Sequence, residues 1–453
     1  MQNFLKSRIS KNIILNINKN SQGNSQWIIK IDALESAIVI PFYPCFARTG
    51  NTKQIGCKLV NVFPFNNLLK RHYIHAPGLL AEASSINGLI IQSEIFLVYL
   101  NYDILGFFFW SLNRLEEINV EKSDLDQYSR FLYSSSHAFT HGYLDYPLVD
   151  IWIDLLSQII EKYIGKFLPT PKYFSIQPTH DIDNPSFAGL CSNFQFGLKL
   201  FKHLKKCKNI LPSSSDIVNF LKAKRNSYYR LSPADRYNTF EWLASENYSK
   251  GLSSYFNFMA GSSSTFYDTG YSIKSPSLLL IMKSIYDKGA SIGIHPSFQS
   301  FKSPNLIKSE VNLLVSTLAS NGIYQSKLIS RMHYLRFDMA STPTFLASAG
   351  VHQDHTLGYA NYPGFRCGTC HKYILFNIFS RESTLLEIQP MILMDTSLIS
   401  SSYLGFDSAD KMFTLISTLK SECRNVRGTF NFLWHNCHLD SPVLREIYIF
   451  CIS

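Results

Sequence analysis

The chain has 453 residues, of which 46% are hydrophobic and 17% charged, so it is long and apolar enough to bury the cores of two or three domains. This composition excludes a disordered chain, and nine scattered cysteines do not form the spacing of a disulfide framework. The net charge of +10 comes partly from the basic stretches 199–210 and 221–226. We interpret them as a solvated helix face, with attraction to an anionic sugar carrier or a membrane surface as alternatives, and expect no nucleic-acid partner because no recognisable motif accompanies them.

The amino-terminal stretch is positively charged but has no sustained apolar run and no small-residue cleavage site, so we expect no secretory signal. The most apolar window, residues 98–112, is too short for a membrane span and contains Asp103. We therefore expect a cytoplasmic protein without a membrane span. Peripheral contact with a membrane-linked substrate stays compatible with this expectation, and the sequence does not fix the oligomeric state.

Residues 1–168 are predicted to form a smaller α/β or α+β domain of unknown role. Short apolar runs such as SAIVIPFY (36–43) alternate there with turn residues, and apolar residues recur at helical spacing after Pro147. The charged residues within 107–117 and 124–133 are predicted to form buried ion pairs or to dock one domain on another. Pro169 follows the helical pattern, which places the boundary at residues 168 and 169.

Residues 169–453 are predicted to form a second domain in which strands and helices alternate. The strand-like segments are YFSIQPT, SSYFNFM, ASIGIHPS and TFNFLW, and the helix-like segments are 276–289, 309–322 and 342–350, each of which ends at a glycine. Such alternation favours a parallel sheet, either open or closed into a barrel. In a β/α barrel the chemistry lies at the carboxyl ends of the strands.

The segment PTHDIDNP (178–185) places two carboxylates, Asp181 and Asp183, directly after a predicted strand. Side chains two residues apart in an extended chain point to the same side, so both carboxylates can reach one site. Like charges at that distance are costly unless a cation lies between them or one of them is protonated. The pair therefore predicts a metal ion with one carboxylate as ligand and the other as base.

Further polar side chains follow the other predicted strands. A single histidine at a strand end is more often a hydrogen-bonded structural residue, but several at consecutive strand ends favour a site. Asp, His and His together form the ligand set of a catalytic zinc or similar divalent ion. The residues concerned are His295 in IGIHPSFQS, Arg331, His333 and Arg336 in ISRMHYLRF, Asp354 in GVHQDHTLGY, and His435 in TFNFLWHNCHLD.

These motifs resemble the polysaccharide deacetylases with a NodB-type catalytic domain, carbohydrate esterase family 4, over roughly residues 170–440. Together THDIDNP, IGIHPSF, RMHYLRF, DHTLGY, GFRCGTC and LWHN are similar to a bacterial subgroup of surface-polysaccharide synthesis that has an extra amino-terminal domain. The resemblance implies a distorted (β/α) barrel and a hydrolase that removes N-acetyl groups from a saccharide, either a polysaccharide or its lipid- or nucleotide-linked precursor. It also implies a divalent metal, zinc in the first place, with nickel or cobalt as alternatives.

The resemblance implies a role for each matching residue. Asp181 is the general base, Asp183 and His295 are metal ligands, and His435 protonates the leaving amine. The family's second ligand histidine is absent, since position 299 is Gln, so His333 is implied as the third ligand, with His180 and Gln299 as alternatives. The remaining roles are those of an arginine that pairs with the base and an aspartate that orients the arginine or the catalytic histidine: Arg331 or Arg336 for the first, and Asp354 for the second.

Two other functions are compatible with the sequence: a non-catalytic glycan-binding or assembly protein on the same fold, and a hydrolase of another non-peptide C–N bond. The CGTCH segment (367–371) matches a haem-attachment pattern, which we reject because nothing indicates export, and a zinc knuckle there has no well-spaced fourth ligand nearby. Arg366 is predicted to bind substrate or to form a structural salt bridge. Asp268 is predicted to pin a loop, and Asp395 either joins the site or caps a helix.

Overall fold

The structure is a computed structural model of the chain. It describes every residue except 21, 33, 51–54, 64, 66–70, 80–84, 95–96, 188, 191–196, 198–223, 225–226, 234 and 265. The basic stretch 199–210 therefore lies outside the described residues, as does the stretch 221–226 apart from Lys224.

The described helices and strands follow one another along the chain as mixed α/β structure. The helices are α1 (Gln2–Arg8), α2 (Ile86–Leu89), α3 (Ile104–Leu112), α4 (His137–Thr140), α5 (Leu148–Tyr163), α6 (Phe240–Ser249), α7 (Pro276–Asp287), α8 (Pro304–Ser320), α9 (Thr342–Ser348), α10 (Asp395–Ile399), α11 (Ala409–Asn425) and α12 (Pro442–Ile452). The strands are β1 (Ile13–Lys19), β2 (Ser25–Ile31), β3 (Ala37–Pro41), β4 (Cys57–Asn61), β5 (Tyr73–Pro77), β6 (Ile90–Glu94), β7 (Leu97–Leu100), β8 (Ser175–Ile182), β9 (Tyr255–Phe258), β10 (Ser291–Ile294), β11 (Ile329–Ser330), β12 (Gln353–Asp354), β13 (Tyr373–Asn377), β14 (Glu382–Ile388), β15 (Leu393–Met394) and β16 (Thr429–Leu433). None of these described helices combines the length and the apolar character that crossing a bilayer requires.

The chain divides into two compact units. The first contains Met1–Ser175 together with Gly364–Ser383 and Thr418–Phe430, and the second contains the rest. The predicted boundary at residue 168 lies close to Ser175. The two later segments, which we had placed in the second domain, belong to the first unit, because compactness follows contacts in space rather than order along the chain.

The first unit contains a sheet in the order β1-β2-β3-β7-β6 and a separate antiparallel pair, β4 and β5. Its core includes Trp110 and Trp152, and α5 buries one apolar face through residues such as Ile151, Leu155 and Ile159. Helical spacing from Pro147 predicted this helix, and its bounds confirm the prediction. The opposite face of α5 carries polar side chains.

The second unit contains a sheet in the order β14-β12-β11-β10-β9-β8-β16-β15. The pairs β8–β9, β9–β10, β10–β11, β11–β12, β12–β14 and β15–β16 are parallel. The alternation of strands and helices was therefore predicted correctly. The distorted barrel that the resemblance implies is not confirmed, because the strand order is linear and no hydrogen bonds between the described strands close the sheet.

The helices around this sheet begin and end where local signals place them. Helix α8 starts five residues before the predicted segment, at Pro304, because the hydroxyl of Ser303 accepts a hydrogen bond from the backbone N–H of Leu306 and proline suits the first helical turn. Gly289 and Gly322 follow α7 and α8 with φ of 83° and 66°, the left-handed conformation that ends a helix at little steric cost.

Strand β8 lies between β9 and β16, so its last five residues are buried. Three of these five residues are polar, and each has a hydrogen-bond partner: Thr179 donates to the carbonyl of Phe432, His180 is bonded to the carbonyl of Trp434, and Asp181 accepts from Asn257. At the carboxyl end the sheet stops and further polar side chains can approach. Asp181 and Asp183 lie at that end.

A buried ion pair in the first unit gives a pH-dependent test of stability. Glu117 accepts hydrogen bonds from Arg114 Nε at 2.7 Å and Arg366 Nε at 2.9 Å, so Arg366 forms the salt bridge rather than a substrate contact. Burial alone would raise the pKa of Glu117, but the two guanidinium groups lower it to about 2. We expect Arg366→Ala to lower the free energy of unfolding by about 3–5 kcal/mol, because it leaves a buried charge uncompensated.

Denaturant unfolding at several pH values measures this effect. The folded pKa of Glu117 is depressed, so its contribution is present above its unfolded value of 4.5 and is lost as the pH falls towards about 2. The matched control is Lys283→Ala, which breaks an exposed pair with Asp287 and is expected to cost about 0.2–1 kcal/mol. Equal losses in the two variants would contradict the prediction.

Candidate functional site

Polar side chains meet at the carboxyl ends of four neighbouring strands of the second unit. Asp181 and Asp183 come from β8, and the parallel register places Asp181 opposite Asn257 of β9. His295 follows β10, and Arg331 and His333 follow β11, which pairs with it. Because parallel strands end at the same edge of a sheet, residues far apart in sequence are brought together here.

Three of these side chains form a compact group. The Nε2 atom of His295 lies 3.1 Å from Asp183 Oδ1, and the Nε2 atom of His333 lies 3.7 Å from the same oxygen. One ligand atom from each of the three residues can be chosen so that all lie within 4.8 Å of one another. Both histidines are almost fully buried, whereas Asp183 is partly exposed. The group is therefore held in the protein by its two histidines and reaches solvent at Asp183.

The hydrogen bonds of the two histidines fix which nitrogen carries the proton. His295 Nδ1 lies 2.6 Å from the backbone carbonyl oxygen of Arg331, and His333 Nδ1 lies 2.8 Å from Asp268 Oδ1. A carbonyl or carboxylate oxygen only accepts, so each Nδ1 donates, and Nε2 is the nitrogen of each ring that faces Asp183 and can bind a metal once it carries no proton. A metal-binding histidine is held in this way, with its second nitrogen bonded to a carbonyl or a carboxylate.

Asp183 supplies the third donor atom and an independent test of fit. Its Oδ1 atom is buried and has no hydrogen-bond partner among the described residues, although two imidazole nitrogens face it. Burial alone would raise the pKa of Asp183, but His333, His295 and His435 hold it well below its usual range. A buried carboxylate oxygen opposed by two imidazole Nε2 atoms needs a cation or protons between them, so the donor set fits a divalent metal such as zinc.

Asp181 is held in place beside this group as a hydrogen-bond acceptor. Its Oδ1 atom accepts hydrogen bonds from Asn257 Nδ2 at 2.8 Å and from Arg331 Nη1 at 3.2 Å. Arg331 is fully buried, and its Nε atom donates to the backbone carbonyl of His355 at 3.0 Å. The guanidinium is thereby fixed in place, so Arg331 rather than Arg336 pairs with the predicted base.

His435 approaches Asp183 from the other side of β8, at the end of β16. Its Nε2 atom lies 3.5 Å from Asp183 Oδ2, and its Nδ1 atom donates to Asp395 Oδ1 at 2.8 Å. Asp395 also accepts from the backbone N–H of His435 and from Nδ1 of His438. Burial alone would lower the pKa of His435, but Asp395 and Asp183 raise it to about 9. The ring is therefore a positively charged proton donor at neutral pH.

The remaining predicted residues lie elsewhere. His180 is buried, with Nδ1 bonded to the backbone carbonyl of Trp434, and Gln299 is exposed. Arg336 donates to the carbonyl of Phe298 and stacks on its ring. Asp354 accepts from Ser330 and Thr356, not from His435. Burial raises its pKa to about 6, which the charge of Arg331 partly offsets, so a role of Asp354 in orienting the arginine stays a prediction.

Three residues that the sequence did not assign firmly to the site support it in the structure: Asp268, Asp395 and Asn257. Asp268 accepts from His333 and from four N–H and O–H groups of nearby loop residues, which fixes its orientation. Asp395 supports His435, and Asn257 supports Asp181. Asp395 was detectable as a carboxylate directly after the apolar run MILM, the same signal that marked Asp181. Nothing in the sequence singled out Asn257, since an asparagine inside a strand has many structural uses.

Two other groups of potential metal ligands fit a metal less well. In the first unit, Asp150 lies near Cys370 and His371 of the CGTCH segment, but its oxygens already pair with Arg8, Thr369 and the backbone N–H of Cys370. The group of Asp395, His435 and His438 has both carboxylate oxygens bonded to imidazole Nδ1 atoms. Neither carboxylate has the unpaired buried oxygen that distinguishes Asp183.

Comparisons with known proteins are sparse. Residues 9–164 match a family of unknown function, DUF7033, which covers about a third of the chain. No curated protein sequence matches the chain. A solved structure described as a "putative polysaccharide deacetylase from Mycobacterium smegmatis" is similar, with a TM-score of 0.41 and 15% sequence identity, over 63% of this chain and 85% of that one. A similarity at this level does not establish a function for the chain.

Proposed function

We propose that the second unit is a metal-dependent hydrolase that removes N-acetyl groups from a saccharide, either a polysaccharide or its lipid- or nucleotide-linked precursor. The proposed metal ligands are Asp183, His295 and His333, with zinc as the first candidate and nickel or cobalt as alternatives. The proposal includes a sheet related to the incomplete barrels of polysaccharide deacetylases, because the sequence motifs that suggested that family lie at the ends of these strands.

One observation carries the proposal. Two imidazoles, each with Nδ1 bonded to an oxygen acceptor, turn their Nε2 atoms towards Asp183 Oδ1, which has no hydrogen-bond partner among the described residues. These histidines, together with His435, hold the pKa of Asp183 well below its usual range, so an ionised carboxylate lies beside two nitrogens that can exchange their protons for a metal ion. The arrangement is therefore suited to a divalent cation.

The surrounding residues supply the other parts of an amide hydrolysis. A bound divalent ion supplies positive charge that polarises an amide carbonyl. Asp181, held in place by hydrogen bonds from Arg331 and Asn257, accepts a proton from the attacking water. His435, held protonated by Asp395, donates a proton to the nitrogen of the departing amine.

The positions of the two groups match these opposite tasks. Asp181 and His435 lie on β8 and β16, which are neighbours in the sheet, with Asp183 between them. Asp181 offers acceptor oxygens beside the guanidinium of Arg331, while the carboxylate of Asp395 raises the pKa of His435 to about 9, so His435 keeps a proton that it can donate.

Metal removal tests the proposal directly. The purified chain is treated with a chelator, dialysed and assayed for acetate release from N-acetylglucosamine oligosaccharides. We expect acetate release to disappear and to return on addition of one equivalent of zinc, nickel or cobalt, because Asp183, His295 and His333 would again hold an ion.

The measurement separates the rival functions. Acetate release that persists in the fully metal-free chain would contradict the metal mechanism. Saccharide binding without acetate release, at full metal content, would favour the glycan-binding alternative. Release of ammonia or an amine from other small amides, but not from acetylated sugars, would favour a hydrolase of a different C–N bond.

A further inference from the structure

The first unit contains a cavity of about 330 Å³ that the proposed catalytic chemistry does not use. This volume lies within the range of small-ligand sites, roughly 300–1,000 Å³. One wall is the polar face of α5, and the others are the end of α1, the segment 167–173 and Arg427. The segment is anchored to α1 by hydrogen bonds from Thr170 to the carbonyl oxygens of Lys6 and Ile9. The cavity is therefore built from pinned elements.

The wall formed by α5 consists of polar side chains at helical spacing. Asp154, Ser157, Gln158 and Glu161 lie three, four and seven residues apart, so they share one face, opposite the face that packs in the core. Each can hydrogen-bond to a ligand. A face that only met solvent would not need the near-complete burial of Asp154, which is 4% exposed.

Arg8 contributes donors that the described residues leave unused. The residue is 3% exposed, and its Nε, Nη1 and Nη2 atoms are buried without a hydrogen bond to any described residue. Its Nη2 atom lies 2.8 Å from Asp150 Oδ1, which balances the charge, but the N–H directions are poor for a hydrogen bond. A guanidinium has five N–H donors and no acceptor, so a ligand must offer acceptors to satisfy it.

Asp154 contributes a buried acceptor atom that has no hydrogen-bond partner among the described residues. Its Oδ1 atom lies 2.8 Å from Lys172 Nζ and 3.7 Å from Arg427 Nη2, whereas its Oδ2 atom is buried and has no partner among the described residues. An ionised carboxylate only accepts, so a ligand must offer a donor. Among the described residues, the cavity therefore offers no hydrogen-bond partner to the buried donors of Arg8 or to the buried acceptor of Asp154.

The charges around the cavity argue against an anion or a cation as ligand. Positive and negative groups balance when the pair of Arg8 with Asp150 is included: Arg8, Lys172 and Arg427 against Asp150, Asp154 and Glu161. A hydroxyl group is both a donor and an acceptor, and so satisfies the two unmet needs together. Tyr173, 81% exposed, adds an aromatic surface beside the polar wall.

We propose that this cavity binds a neutral, hydroxyl-rich saccharide, with Arg8 donating to hydroxyl oxygens, Asp154 accepting from a hydroxyl and Tyr173 packing against a sugar ring. The site lies wholly within the first unit, so the assignment holds whether or not the second unit is a hydrolase. It gives the domain matched by a family of unknown function a specific task, the capture of a glycan.

Calorimetric titration of the full chain with N,N′-diacetylchitobiose or cellobiose tests the proposal. We expect Ser157→Trp, which fills the cavity from the middle of the α5 face, to weaken one binding event at least tenfold. Acetate release, if the chain has that activity, should be unchanged on a short substrate. Tyr173→Ala is the second variant, in case the first affects folding, and should weaken the same event. Leu168→Ala is the matched control, because Leu168 is equally exposed on the same segment but does not line the cavity.

Each outcome decides the assignment. Loss of a binding event in both cavity variants but not in Leu168→Ala supports it, even if no acetate is ever released. Isotherms that stay unchanged in both variants, or no binding of either neutral disaccharide to the native chain, would overturn it. Binding of inorganic phosphate or glucuronate in place of the neutral sugars, abolished by Ser157→Trp, would also overturn it, since the cavity would then select an anion.

Discussion

Replacing Asp183 or His295 by alanine is expected to abolish tight binding of a divalent metal and, with it, the release of acetate. Each residue supplies one of three converging donor atoms. Four-ligand zinc sites are worth roughly 10–16 kcal/mol, so one lost ligand costs on the order of 3–4 kcal/mol, or about 10²–10³-fold in affinity. Metal content by mass spectrometry after dialysis, and titration with zinc, measure the effect.

Two further variants are expected to show an intermediate loss and no loss of metal affinity. Asp268→Asn leaves all three donor atoms in place but weakens the carboxylate that orients His333, so we expect a loss of about 10–100-fold in metal affinity. His352→Ala removes an exposed histidine of the same unit and should leave metal affinity unchanged. A full equivalent of tightly held metal in Asp183→Ala would show that the ligands are other residues.

Replacing His435 by asparagine is expected to lower kcat for acetate release by about 10²–10⁴-fold while metal content stays at the native value. The reason is that Asp395 and Asp183 raise the pKa of His435 to about 9, with Nε2 facing the site and Nδ1 bonded to Asp395. Steady-state kinetics together with metal analysis on the same sample separates loss of the proton donor from loss of the metal.

His438→Gln is the matched comparison for this variant. His438 shares Asp395 with His435, but the bond between Asp395 and His435 does not depend on it. A smaller loss of kcat is therefore expected. If both variants lost activity equally, His435 would act only as a member of a structural cluster, and if His435→Asn lost its metal, His435 would be a ligand.

The residues that come directly after buried strands were the easiest to predict. Asp181, Asp183, His295 and His435 each follow an apolar run, and parallel strands bring such positions to one edge of a sheet. The helices α5, α7 and α9 were equally easy to predict, because apolar spacing and a following glycine or proline mark them. The strand order could not be predicted, since the closing of a sheet into a barrel depends on twist and pairing that single segments do not encode.

The supporting residues needed the three-dimensional structure. The third donor could have been His333, His180 or Gln299, and only burial and hydrogen bonds distinguish them: His180 is bonded into the core, and Gln299 is exposed. Asp354 and Asp395 look alike in sequence, each following a short strand. In the structure Asp354 accepts hydrogen bonds from Ser330 and Thr356, whereas Asp395 accepts one from His435. The sequence does not show these pairings, because the partners come from other parts of the chain.

The position of β8 between β9 and β16 has a consequence for the order in which the protein matures. The proposed metal ligands follow β8, β10 and β11, which the ribosome completes before it begins β15 and β16, the strands that carry Asp395 and His435. Since a domain generally folds as a unit, β8 has no partner on one side until β16 has been made. The proposed metal ligands and the proposed proton donor are therefore expected to come together in one step, after almost the whole chain has been synthesised.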